Sequence, residues 1–200
     1  MGIQRLFRNL TDYNDSLLAR VEIGDRMYNT KIPLEGEYLL GLAFGGRETH
    51  ATQSLARSAI DARKISEKNL PLIAQWAILV NIPKIRFDDY SIDSETKGSA
   101  PYEASLNTRE VMERARQFII EEHGQNSLKH AIYLAHPAHM ERVIGIGKKL
   151  DFQGIPFVDA DIVGWNTGQE HLGAGATVSP SKWLKRELVT RLHHIIKGWM

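Results

Sequence analysis

An α/β fold built on a parallel sheet is what this sequence predicts, and three observations predict it. Apolar runs of strand length recur at 37–44, 72–77, 130–135 and 155–160. They hardly alternate, as expected of strands buried on both faces. Stretches with a helical spacing of apolar residues follow them, at 51–68, from Asn107 or Thr108 up to Gly124, at 138–150 and at 181–197. Strands and helices taken in turn imply right-handed crossovers and helices on both faces of the sheet, a Rossmann-like three-layer sandwich.

Residues 1–36 read as a helical lead-in anchored by Leu6, Leu10, Leu17, Leu18 and Val21, and residues 37–200 as one α/β domain. The first strand ends in Gly45-Gly46-Arg47-Glu48-Thr49, where glycines let the backbone turn sharply and approach a ligand closely. The helix after it carries Leu55, Ala56, Ala59, Ile60 and Ala62 on one stripe. Asn69-Leu70-Pro71 closes that helix, and the second strand, Leu72–Ala77, extends toward Val80. Gln75 interrupts its aliphatic run and needs a partner if buried. From Pro83 to Tyr102 the chain reads as a long polar loop with a short strand near Tyr90–Ile92. The next helix is opened by Asn107 or Thr108, and Asn107 with Glu110 has the spacing of a capping box. Gly164–Ser179 reads as a glycine-rich loop. The last helix is expected to turn Leu184, Leu188, Leu192 and Ile195 inward.

The most informative stretch is Tyr133–Arg142. An apolar strand stops at His136-Pro137 and the spacing becomes helical, so the imidazoles of His136 and His139 sit at a strand-to-helix corner. Ligands bind at such corners in open parallel sheets, because helix-start N–H groups are unpaired and the macrodipole favours anions. Composition narrows the alternatives. With 25 Lys+Arg against 24 Asp+Glu, a nucleic-acid partner held by bulk charge is not expected. There is no cysteine, which removes thiolate chemistry and disulfides. No window approaches the length of an apolar membrane span, and the first residues hold no signal-peptide core, so a cytoplasmic protein without a membrane partner is expected. Nor is there a nucleophile elbow, a phosphate-binding Walker loop or a full dinucleotide fingerprint.

Several of these pieces together resemble the YdcF-like domain family, the SanA/ElyC/YdcF group. They are Gly45-Gly46 after the first strand, Arg57 in the following helix, Glu103-x-Ser105-x-Asn107-Thr108-x-Glu110, and His139-Met140-x-Arg142 after a strand. The resemblance spans about residues 37–197. It implies a Rossmann-like fold with a polar cleft lined by these residues, in a family whose biochemical activity is mostly undefined, and S-adenosylmethionine has been associated with the family as a ligand. On this basis Gly45, Gly46, Arg57, Gln75, Ser105, Asn107, Thr108, Glu110, His136 and Arg142 are expected to line a site for a small anionic or nucleotide-like ligand. Arg142, as an exposed cleft arginine, would pair with phosphate or carboxylate. His139, titrating near neutrality, would act as general acid or base in a transfer or hydrolysis step, with Glu103 or Glu110 orienting it. Two alternatives stand beside this one: a metal-dependent hydrolase using the His136/His139 pair, although helix-borne pairs usually sit four apart, and a non-catalytic binding or sensor module.

Overall fold

A computed structural model describes residues 36–66, 68–97, 100–103, 106–157, 165–172 and 175–198, with backbone alone for 94–97 and 100–103. Five parallel strands form the sheet: β1 (Tyr38–Gly41), β2 (Leu72–Ala74), β3 (Tyr90–Ser91), then, after a hairpin of β4 (Ser94–Lys97) and β5 (Ala100–Glu103), β6 (Ala131–Leu134) and β7 (Ile155–Phe157). Their order is β3-β2-β1-β6-β7. The central strand β1 pairs Leu40 with Ile73 on one side and with Tyr133 on the other.

Side chains alternate between two cores. Leu39, Leu72, Ala74, Ile132 and Leu134 face one way, onto Ala51, Leu55, Ala59 and Ala62 of α1 (His50–Ile65) and Trp183 of the C-terminal helix. Tyr38, Leu40, Ile73, Ala131 and Tyr133 face the other, onto α3 (Thr108–His123) and α4 (Pro137–Lys149). Such a doubly wound sheet carries its crevice where adjacent strands send their helices to opposite faces. Here that place lies between the carboxyl ends of β1 and β6.

The expected strands, the helix after β1 and the capping box are present, with boundaries shifted by a few residues. Asn107 Oδ1 accepts from the amides of Arg109 and Glu110, and Glu110 accepts from the Asn107 amide at 2.8 Å. Three expectations are corrected. Beyond Ala74 the chain turns into a short helix, α2 (Trp76–Leu79), because the buried carboxylate of Asp93 accepts from the Trp76 amide at 2.6 Å. The polar stretch after Tyr90 contains the β4–β5 hairpin. The last helix, α5 (Pro180–Ile196), buries Trp183, Glu187, Arg191 and His194, while Leu192 and Ile195 are exposed. The lead-in at 1–35 lies outside the described residues. Among the described residues no helix is long and apolar enough to cross a membrane.

Candidate functional site

Two chain segments leave the sheet at the β1/β6 crevice. After β1 the backbone runs through Phe44 into Gly45, whose φ of +103° suits glycine alone, and on through Gly46 to the start of α1. After β6 it reaches His136, the N-cap of α4, followed by Pro137 at the first helical position, where a missing N–H costs nothing. The rings of Phe44 and His136 stack at 3.6 Å and 11°. Trp165 lies 4.9 Å from the His136 ring, and Trp183 of α5 lies 4.7 Å from Phe44.

The imidazole of His136 is defined by what touches it. Its Nδ1 accepts the amide of Ala138 at 3.1 Å, which places the ring proton of the neutral form on Nε2. That Nε2–H is buried with no hydrogen-bond partner among the described residues. Burial pushes the pKa of His136 down to about 3, so the ring is neutral at physiological pH. His139, one turn on, bonds through Nε2 to Thr108 Oγ1 at 3.2 Å, joining the first turns of α4 and α3. Its Nδ1 is also buried without a partner among the described residues. Burial first, then the positive charge of Arg142 and the neighbours His136 and Arg191, hold its pKa well below the usual histidine range. The near-neutral titration expected of His139 is therefore not what its surroundings produce. A neutral ring here can donate a hydrogen bond or act as a weak base.

Arg142 is buried rather than exposed. Its Nη1 meets Glu187 Oε2 at 2.9 Å, its guanidinium carbon stands 5.2 Å from the Trp183 ring centroid, and Arg191 Nε donates to the other oxygen of Glu187 at 2.8 Å. This clasp joins α4 to α5. Gln75 is engaged as well, accepting from the Ala43 amide at 2.9 Å and donating to Asp93 at 3.0 Å, so it fixes the end of β1 against β2. Arg57 is exposed on α1 and donates to Ser54 one turn back. Asn107 and Glu110 are taken up by the capping box. Glu103 ends β5, opposite Ser94, with only its backbone described, and Ser105 lies outside the described residues. The structure thus sets His136 and His139 against Phe44, with Gly45 next to it in the chain and Thr108 bonded to His139, holds Arg142 in a neighbouring ion pair, and leaves Arg57 apart.

No protein-family model, curated protein or solved structure matches the chain. Among the described residues no group of three or more histidines and carboxylates is placed to hold a metal. Two surface hollows lie away from these residues, one along Glu113, Arg116 and Asp151 and another by Leu128, Lys129 and Gln153 at the opposite rim of the sheet.

The residues that sequence reasoning missed are Phe44, Trp165, Asn166, Gln169, Trp183 and Glu187. Asn166 is the most engaged of them. Its Oδ1 accepts from the Ala51 amide at 2.8 Å, and its Nδ2 donates to the Phe44 carbonyl at 2.9 Å and to Thr177 Oγ1 at 2.7 Å. Gln169 Oε1 accepts from the His50 amide at 2.8 Å. Thr49, the N-cap of α1, makes no side-chain capping bond, so these two carboxamides do that work from more than a hundred residues away. Their only sequence signal was a pair of amides in a glycine-rich loop.

Proposed function

We propose that the protein binds a small anionic or nucleotide-like ligand at the carboxyl ends of β1 and β6, against Phe44, His136 and His139. The observation that carries this is the buried Nε2–H of His136, which has no acceptor among the described residues, at the crevice of a doubly wound sheet. An unmet buried donor costs about 1–3 kcal/mol, so native proteins leave few of them. A ligand oxygen would meet it. The likeness to the YdcF-like family supports the same reading, since Asn107-Thr108-x-Glu110 and His139-Met140-x-Arg142 open adjacent helices and touch through Thr108 and His139. On that likeness S-adenosylmethionine is the first ligand to try. Where chemistry follows binding, neutral His139 is the group to hydrogen-bond a reacting oxygen or accept a proton in a transfer or hydrolysis step. A cytoplasmic location goes with this reading, on the cysteine-free and charge-balanced composition.

The test is a thermal-shift series with S-adenosylmethionine, AMP, sugar phosphates, inorganic phosphate and divalent metals. A ligand at about 100 times its Kd stabilises by about 2.7 kcal/mol, which a melt detects readily. Stabilisation by S-adenosylmethionine or by one of the organic phosphates, weakened in His136→Phe, is expected. A shift given by zinc or manganese alone and lost in His136→Phe would replace this reading with a metal site, and no shift with any compound would overturn it.

A further inference from the structure

The segment Trp165–Leu172 lies across the proposed site, and its attachments are of unequal strength. Asn166 is fully buried and hydrogen-bonded to both Phe44 and Ala51. The rest is light. Gln169 reaches the His50 amide at the surface, and the single turn Glu170–Leu172 buries no residue and is tied by an exposed ion pair between Glu170 and Lys182 at 3.5 Å. Trp165 is only partly buried, over the His136 ring. Segments with few buried apolar contacts and exposed hydrogen bonds open at low free-energy cost.

Both carboxamide oxygens do one job: they accept from the first amides of α1, those of His50 and Ala51. These N–H groups carry the positive end of a 16-residue helix. A neutral amide oxygen is a modest acceptor there. An anionic oxygen makes shorter, charge-assisted bonds to the same donors and is favoured by the helix dipole. Trp165 of the segment lies against the ring of His136, whose unmet buried Nε2–H is the second sign of a ligand.

We infer that Trp165–Leu172 is a strap over the crevice, its Asn166 and Gln169 oxygens holding the places that the ligand's oxyanion takes when the strap lifts. This rests on the ligand reading above and adds to it the route of entry and a competition between chain and ligand. Phe44's carbonyl, left by Asn166 on lifting, becomes open to water.

Hydrogen exchange read by mass spectrometry on the full chain, with saturating inorganic phosphate or AMP as probe, tests it. Exchange should slow in Gly45–Ala51 and quicken in Trp165–Leu172, opposite signs within one experiment. The double variant Asn166→Ala/Gln169→Ala should bind the same probe about tenfold more tightly, because the binding-competent fraction rises. Gln169→Ala alone should shift affinity the same way, and it serves if the double variant does not fold. A probe that raises the melting temperature while slowing exchange in both segments, or leaving the strap unchanged, overturns the strap and leaves the ligand reading intact. Absence of binding by both probes to wild type and to Gln169→Ala overturns the strap, and the ligand reading falls with it when the full thermal-shift series is flat as well.

Discussion

His136 shows how one side chain can set the pH response of a fold. The unfolded chain takes up its proton near 6.5, whereas the folded chain, with the ring stacked on Phe44 and buried, holds it off until about pH 3. Between those values the unfolded state binds more protons, so stability falls as pH drops. The loss is roughly 1.4 kcal/mol per pH unit, or about 2 kcal/mol at pH 5. His139 has the same sign, since burial and Arg142 also keep it neutral. Melting followed from about pH 8 to about pH 5 should therefore decline steadily toward acid, and the decline should be shallower in His136→Phe, which keeps the ring stack. A flat profile in the wild type would mean that the imidazole is open to water. That this histidine is buried was not legible in the sequence, where His136-Pro137 marks only a corner; its tautomer follows from a local bond to Ala138 and could have been read from N-cap chemistry alone.

The helices divide into those whose packing is local in origin and those whose packing is not. The start of α3 was readable because a capping box is closed by residues three apart, and Asn107→Ala should cost about 1 kcal/mol in a denaturant melt. The buried face of α5 was not readable. Leu184, Leu188, Leu192 and Ile195 form the apolar stripe that spacing favours, yet the helix turns Trp183, Glu187, Arg191 and His194 inward. What reverses it is Arg142 on α4, a buried cation that needs a buried carboxylate; Glu187 supplies it, and Arg191 takes the second oxygen. A polar helix face satisfied by another helix leaves no periodic signal. Arg142→Ala should then lower stability by about 3 kcal/mol, or on the order of 10 °C in melting temperature, because Glu187 loses one of its two cations in a buried setting. An arginine serving an open cleft would give nearly no change in the melt of the protein alone, so this one measurement separates the two roles.

At the scale of the whole molecule, the parallel sheet was legible because two-sided burial writes continuous apolar runs into β1, β2 and β6. The closure of the crevice was not, because it joins Phe44 and Ala51 to Asn166 across more than a hundred residues. Gly45 is where those two levels meet. Its φ of +103° disfavours any side chain, and a Cβ there would stand 2.9 Å from both Asn166 Nδ2 and Thr49 Oγ1. Gly124 provides the comparison, since its φ of +82° is similarly disfavoured but a Cβ would meet nothing within 4 Å. Backbone strain alone costs about 1–2 kcal/mol for such a substitution. Gly124→Ala should lose about that much, and Gly45→Ala about 1–3 kcal/mol more, because overpacking is added to the same strain. The extra loss should come with faster hydrogen exchange in Trp165–Leu172, as Asn166 is pushed off the β1 turn, and with no such change in Gly124→Ala. Equal losses in the two variants would show that Asn166 does not press on the glycine turn, and the seal between the two halves of the sheet would then have to be sought in the stacked rings alone.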